Sequence, residues 1–249
     1  MAYEYSFASV YDVFTDGVNY SERADYICGL LSSNGITEGT ILDVACGTGS
    51  LSECFLEKGF EIVATDISFE MLSIAREKLS KYGDKALLLC QDMCELDLYG
   101  TVDAAVCSLD SINHLTEVED VDAAFESIGK FIRPDGLFVF DINTVFKHRE
   151  ILSGQTFVYE DEDEKFLVWQ NSECDEDDVV EMVIDIFSKN DVSLYERQTD
   201  FVVERAYSVK LLTDLLKKNN FDVLGVFGDM TENEPEEDEE RLYFLVKKK

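Results

Sequence analysis

Four polar residues stand at the ends of short apolar runs: Asp43, Asp66, Asp92 and Ser108. The first opens the segment Asp43-Val-Ala-Cys-Gly47-Thr-Gly49. There, an apolar strand over Thr40 to Val44 enters a loop with two glycines, and a helical stretch, Ser50 to Lys58, follows at once. That order sets backbone N–H groups and a helix N-terminus beside a ligand. A glycine in such a loop lets the ligand reach the main chain, because no Cβ stands in the way. The chemistry these residues can do is to hold a nucleotide-type cofactor.

The dinucleotide fingerprint asks for a third glycine, and here that position is Ser52, with no glycine until Gly59. Asp43 also lies inside the strand end, where a pyrophosphate would meet its carboxylate unfavourably and an ammonium group favourably. The loop therefore suits a ligand with adenosine at one end and an ammonium at the other, as in S-adenosylmethionine. A tight turn with glycines needed only for geometry is the plainer alternative. A nicotinamide-dependent oxidoreductase is the rival enzyme class, and the missing glycine and Asp43 both count against it.

The elements that must position these residues follow from periodicity. Glu22 to Ser32 has helical spacing through Ala24, Ile27, Leu30 and Leu31, and Asn34-Gly35 closes it. Glu61 to Thr65, Ala86 to Cys90, Val102 to Cys107 and Leu137 to Asp141 read as further strands. Ser68 is placed to cap a helix that carries Met71 inward. Val121 to Ile132 reads as a helix stopped by Pro134-Asp135-Gly136. Strands and helices alternate five times, which predicts an α/β doubly wound sheet with ligands at the carboxyl ends of the strands.

From Lys147 to Arg205 the rhythm changes to strand-like segments separated by acidic turns, an antiparallel β insert. Leu211 to Lys218 resumes the helical pattern, and Phe221 to Gly228 with Leu242 to Lys247 form a closing antiparallel pair. The expected layout is a seven-stranded Rossmann-like core over residues 1–146 and 206–249, mostly parallel with an antiparallel last strand. The insert over 147–205 covers the cleft as a lid. The acidic stretch Glu232 to Glu240 reads as a solvated loop.

Composition narrows the partners. Lys and Arg number 21 against 53 Asp and Glu, a net charge of −32, which disfavours nucleic acid and anionic membrane surfaces. The seven cysteines are odd in number and irregular in spacing, and only two histidines are present, so neither a disulfide framework nor a metal site is expected. No apolar run has the length of a membrane span and no signal-peptide pattern opens the chain. The expectation is a cytoplasmic protein, monomeric or homodimeric.

The glycine motif and Ala64-Thr-Asp66-Ile-Ser-Phe-Glu-Met71 resemble the class I S-adenosylmethionine-dependent methyltransferases. The β insert, Val10-Tyr11-Asp12, Arg205-Ala-Tyr-Ser and Arg241-Leu-Tyr-Phe are similar in layout to small bacterial enzymes with a β lid, such as sugar-amine N-methyltransferases. The resemblance implies roles for individual residues. Asp43 and the loop residues Ala45, Gly47 and Gly49 meet the methionine and ribose portion. Asp66 accepts from both ribose hydroxyls, since a carboxylate matches a vicinal diol. Ile67 and Met71 sandwich the adenine, with core packing the alternative for Met71. Asp92 accepts from the adenine amino group and Met93 donates its N–H to a ring nitrogen, a helix cap being the alternative for Asp92. Ser108 lies beside the methionine end, or serves as a plain turn residue.

Transfer of a sulfonium methyl group is an in-line displacement from an activated donor, so alignment and exclusion of water matter most. An amine or hydroxyl acceptor must also lose a proton. His114 is the candidate base, with a structural histidine as the alternative; His148 is a weaker candidate. Tyr11 closes over the methyl group or packs the N-terminal segment. Asp110, Asn113 and His114 are candidate contacts to a small-molecule acceptor, and Trp169 lines the pocket from the lid or joins the core. A protein that binds the cofactor without catalysis, and a methyltransferase for RNA or protein, are the other readings.

Overall fold

Aliphatic β-branched runs bounded by glycine and acidic turns become strands, and the amphipathic stretches between them become helices. The computed structural model describes residues 5–15, 17–160, 165–189 and 194–249. Helices α1 (Tyr5–Phe14) and α2 (Tyr20–Ser33) precede β1 (Thr40–Val44), α3 (Ser50–Glu57), β2 (Glu61–Asp66), α4 (Phe69–Leu79), β3 (Ala86–Cys90), β4 (Val102–Cys107), α5 (Val118–Phe131) and β5 (Ile132–Asn143). A second sheet follows, of β6 (Thr156–Glu160), β7 (Phe166–Asn171), β8 (Val179–Lys189) and β9 (Tyr195–Arg205), paired antiparallel in chain order. The chain returns through α6 (Val209–Lys218) to β10 (Phe221–Phe227) and β11 (Arg241–Lys248).

The first sheet has the order β10-β11-β5-β4-β1-β2-β3. Its pairs are parallel except at β11, which runs antiparallel to both β5 and β10. This is the seven-stranded, mostly parallel architecture with an antiparallel last strand that the sequence predicts. The order reverses beside β1, whose partners are β2 and β4, so the glycine loop after β1 occupies the switch point where such sheets bind ligands.

Alternation along the strands divides the core in two. Phe138, Phe140 and Ile142 of β5 join Phe125, Phe221 and Phe244 on one face, whereas Leu137 and Val139 join Ile27, Leu30, Phe55 and Tyr243 on the other. The rings of Phe140 and Phe244 stack at 4.7 Å across paired strands. A third cluster joins the inner face of the second sheet (Leu167, Val180, Met182, Ile184 and Val202) to Ala8 and Val10 of α1 and to Met71. The second sheet therefore closes on the N-terminal helix, above the switch point. Among the described residues no helix is long and apolar enough to cross a membrane.

The element pattern differs from the expectation chiefly at the N-terminus and around β5. Residues Tyr5–Phe14 form a helix, α1, a segment for which the sequence pattern predicts no element. The helix expected from Val121 to Ile132 runs from Val118 to Phe131, and the strand expected at Leu137 begins at Ile132. Pro134-Asp135-Gly136 is a bulge within β5 and not a separate stop. Val102 pairs with Ile132 while Ala104 pairs with Leu137, so the extra residues loop out of register. A Cβ on Gly136 would stand 2.7 Å from the Asp103 carbonyl oxygen, which explains glycine there.

Candidate active site

Strand β1 delivers Asp43 to the wall of a cavity of about 410 Å³ between the two sheets. Asp43 is buried, and the hydroxyl of Ser52 donates to its Oδ2. The residue that replaces the third glycine thus holds the carboxylate inside the end of β1. Burial pushes Asp43 up to about 7; the Asp66 charge adds to the shift and the Ser52 hydrogen bond opposes it. Asp66, at the end of β2, accepts from the Gly47 N–H through Oδ2 and from the Ser68 N–H through Oδ1, each at 2.8 Å. Burial raises Asp66 despite these bonds. The glycine loop and the start of α4 are thereby tied to one carboxylate.

Gly47 has φ +55 and open space where a Cβ would stand. It lines the cavity together with Ala45, Ile67, Met71, Asp92, Met93 and Ser108. Gly49 does not line it, which corrects its expected part as a ligand approach. It caps α3 at φ +76, and an added Cβ would come within 3.1 Å of Ala75, so its absence lets α3 and α4 pack closely. Asp92 is exposed, and its Oδ1 accepts from the Cys94 N–H at 2.9 Å, the capping arrangement that was the alternative reading. Met71 belongs both to the cavity wall and to the core.

Tyr11 lines the same cavity from α1, and burial, then neighbouring Tyr20 and several acids, drives its phenol well up. Its neighbour Asp12 pins α1 onto the glycine loop. Thr48 Oγ1 donates to Asp12 Oδ1 at 2.5 Å, and Lys78 Nζ donates to Asp12 Oδ2 at 2.7 Å and to Ser50 Oγ at 2.5 Å.

The opposite end of the cavity is built from side chains. Asp141, at the end of β5, collects the turn after β4: Ser108 Oγ (2.5 Å) and the Leu109 N–H (2.9 Å) donate to Oδ1, and the Asp110 N–H donates to Oδ2 (3.1 Å). Leu109 and Asp110 adopt φ +57 and +55 to make these bonds, a conformation such residues rarely take without compensation. Arg241, at the start of β11, donates to Asp141, to Asp110 Oδ1 at 2.5 Å and to Asn143 Oδ1 at 3.1 Å. Burial pushes Asp110 up, but Arg241, Lys147 and His114 outweigh it and hold the carboxyl well below its ordinary range. Asp110 and Asp141 likewise raise Arg241 against the effect of its burial.

His114 and Glu204 complete this end. Glu204 points inward from β9, 4% exposed, and Asn143 Nδ2 donates to its Oε2 at 3.1 Å. His114 Nε2 stands 3.9 Å from Glu204 Oε1, and His148 Nε2 stands 3.6 Å from Oε2. Both histidines of the chain thus face one carboxylate. His148 is wholly buried, with Nδ1 2.9 Å from the Asp178 carbonyl, and does not line the cavity. Ligand atoms of Asp110, His114 and Glu204 lie within 4.8 Å of one another, a three-residue set that corrects the expectation of no cluster with metal-ligand chemistry. Arg241 on Asp110 already supplies positive charge there.

Asn113 is also corrected. It is fully buried off the cavity wall, donating to the Asn143 and Arg205 carbonyls and accepting from the Asn143 N–H, so it joins β5 to β9. Asp110, His114 and Trp169 do line the cavity, Trp169 edge-on to Phe157. Sequence reasoning assigned no role to Asp141, Glu204 or Arg241. Asp141 follows the same strand-end rule as Asp43 and Asp66. Glu204 could have been found as an acid in phase with the inward apolar residues Val202 and Val180 of its hairpin.

The fold and this cavity define an α/β protein with a cavity at the switch point of its mostly parallel sheet, covered by a second, antiparallel sheet. Residues 41–136 match the family described as Methyltransferase domain. YqeM of Bacillus subtilis (strain 168) is 35% identical over 97% of this chain and 96% of its own length. An S-adenosylmethionine-dependent methyltransferase from Clostridium acetobutylicum superposes with a TM-score of 0.87 over 98% of both chains, at 32% identity. A Streptomyces venezuelae dTDP-3-amino-3,4,6-trideoxy-alpha-D-glucopyranose N,N-dimethyltransferase is 32% identical over 56% of this chain and 58% of its own. The chain belongs to the small S-adenosylmethionine-dependent methyltransferases.

Proposed function

We propose that the protein transfers a methyl group from S-adenosylmethionine to a small-molecule acceptor in the compartment beneath the second sheet. The observation that carries this reading is Asp66. Its two oxygens are held by the Gly47 and Ser68 N–H groups at the switch point, and each keeps a lone pair for a ribose hydroxyl. Asp43 would meet the ammonium, with Ala45 and Gly47 along the methionine and ribose portion. Ile67 and Met71 would flank the adenine, and Asp92 and Met93 its edge. Ser108 and Tyr11 border the place where the two compartments meet.

The bound donor supplies a methyl group on a positively charged sulfur, ready for displacement. The chain's own residues then align the acceptor and keep water out. The second sheet covers the cavity with Leu167, Trp169, Met182, Ile184 and Val202. His114, beside Glu204, is placed to accept the acceptor's proton. The closed, apolar roof favours a small acceptor over RNA or a protein surface.

Calorimetric titration tests the cofactor. S-adenosylmethionine and S-adenosylhomocysteine are expected to bind, and NAD is not. Binding of NAD alone would sink the reading. Donor consumption in the presence of an acceptor separates an enzyme from a protein that only binds the cofactor.

A further inference from the structure

Resting on the reading above, we infer that the acceptor is a primary or secondary amine on an apolar body, bound as an ammonium by Glu204 and Asp110, and not an acceptor carrying a nucleoside diphosphate. The inference comes from the contrast between the two walls of the acceptor compartment. The roof is aliphatic and aromatic: Leu152, Leu167, Trp169, Met182, Ile184 and Val202. Such a wall binds an apolar body through burial and offers phosphates no cation, only the unpartnered indole N–H of Trp169.

The other wall is polar and short of positive charge. Among the described residues, the carboxylates of Asp110 and Glu204 line it, the wholly buried Asp141 holds the turn that carries Asp110, and the permanent cations are Arg241 and Lys147. Arg241 is committed to Asp110, Asp141 and Asn143, and Lys147 Nζ donates to Asn143 Oδ1 at 2.9 Å. A pyrophosphate entering here would find carboxylates facing it and the cations engaged. Among the described residues, buried Glu204 has no permanent cation within hydrogen-bonding distance; the polar groups that face it are Asn143 and the two histidines. A buried carboxylate in that setting gains from an added cation. An ammonium between Glu204, His114 and Asp110 supplies it.

The chemistry balances. The ammonium gives a proton to His114 or Glu204 and becomes a neutral amine. Its nitrogen lone pair forms the new N–C bond as the C–S bond breaks, and the C–S electron pair returns to sulfur. The products are the methylated amine, protonated, and neutral S-adenosylhomocysteine, with the abstracted proton passed on to solvent.

The test is calorimetry on the full chain loaded with S-adenosylhomocysteine. The probes are 2-phenylethylamine, tryptamine and hexylamine, with 2-phenylethanol, thymidine diphosphate and magnesium or manganese ions as contrasts. At least one of the amines is expected to bind, 2-phenylethylamine at least about tenfold more tightly than 2-phenylethanol. Glu204→Gln is expected to weaken the binding amines by about tenfold while leaving S-adenosylhomocysteine affinity unchanged, which also reports that the variant is folded. Equal binding of amine and alcohol, competition by thymidine diphosphate, amine affinity untouched by Glu204→Gln, or a divalent ion bound through Asp110 and Glu204 would each overturn the proposal, as would no binding by any amine. In all of these the cofactor reading stands so long as S-adenosylhomocysteine binds; failure of that binding overturns both.

Discussion

The two ends of the cavity are built in different ways. The end proposed for the cofactor is built locally: the Gly47 and Ser68 N–H groups hold Asp66 and the Ser52 hydroxyl holds Asp43, all within one stretch of sequence. The acceptor end is a matter of side chains. Asp110, His114, Asn143, Lys147, Glu204 and Arg241 come from five separate parts of the fold and hold one another through charge. The acceptor compartment depends on a buried charge balance, in which one substitution is felt by the rest.

Breaking the acceptor end should therefore cost more stability than breaking the cofactor end. Arg241→Ala leaves Asp110 and Asp141 without their guanidinium in a buried site, and a loss of about 3–5 kcal/mol is expected by chemical denaturation. An unfolding midpoint close to that of the parent would mean that the network does not hold this end together. Asp66→Ala acts on the other side of the contrast. Cofactor affinity should fall by about 100-fold or more, since a charged acceptor of hydrogen bonds is lost, and unchanged affinity in a titration would remove the main support for the assignment. His114→Ala separates the two ends directly: S-adenosylhomocysteine affinity stays the same, while turnover on an accepted substrate drops by about 100-fold.

pH distinguishes them further. Asp43 has a folded pKa of about 7, above its unfolded value, so it favours the folded state most at low pH. That contribution is complete below about pH 4 and is lost as pH rises toward 7. Ligand-free protein should show this slope in its melting temperature, and Asp43→Asn should flatten it. Cofactor affinity should move the opposite way over pH 5 to 7, rising by up to about tenfold per unit as Asp43 ionises to meet an ammonium. A flat affinity profile would remove Asp43 from that role. The smallest effect belongs to the clamp on the N-terminal helix. Lys78→Met removes a half-exposed ion pair with Asp12 and should change stability by no more than about 1 kcal/mol, while weakening the cofactor measurably.

Much of this was legible in the chain. The five alternating strands, the insert and the closing antiparallel pair were all recoverable from periodicity, because strands and helices impose periods of 2 and 3.6 on burial. Asp43 and Asp66 were legible because a strand end followed by glycines is a local pattern. Pro134-Asp135-Gly136 misled, since pairing of β5 with β4 carries the strand through residues that would end it in isolation. Gly49 misled for a different reason: a glycine that admits a ligand and one that admits a neighbouring helix look the same in sequence. Asn113 had the right position after β4, but its amide is consumed by the backbone of β5 and β9.

The cofactor end belongs to the sequence. Its strand, loop and helix are contiguous, and residues 41–71 carry the glycines, the caps and both carboxylates in a fixed spacing. The acceptor end belongs to the fold. Asp110 and Arg241 are 131 residues apart, and Glu204 meets His114 only because β9 folds back over the turn after β4. Local geometry leaves a periodic trace in a chain, whereas an ion pair between distant segments leaves none until packing excludes water and makes the unpaired charge costly.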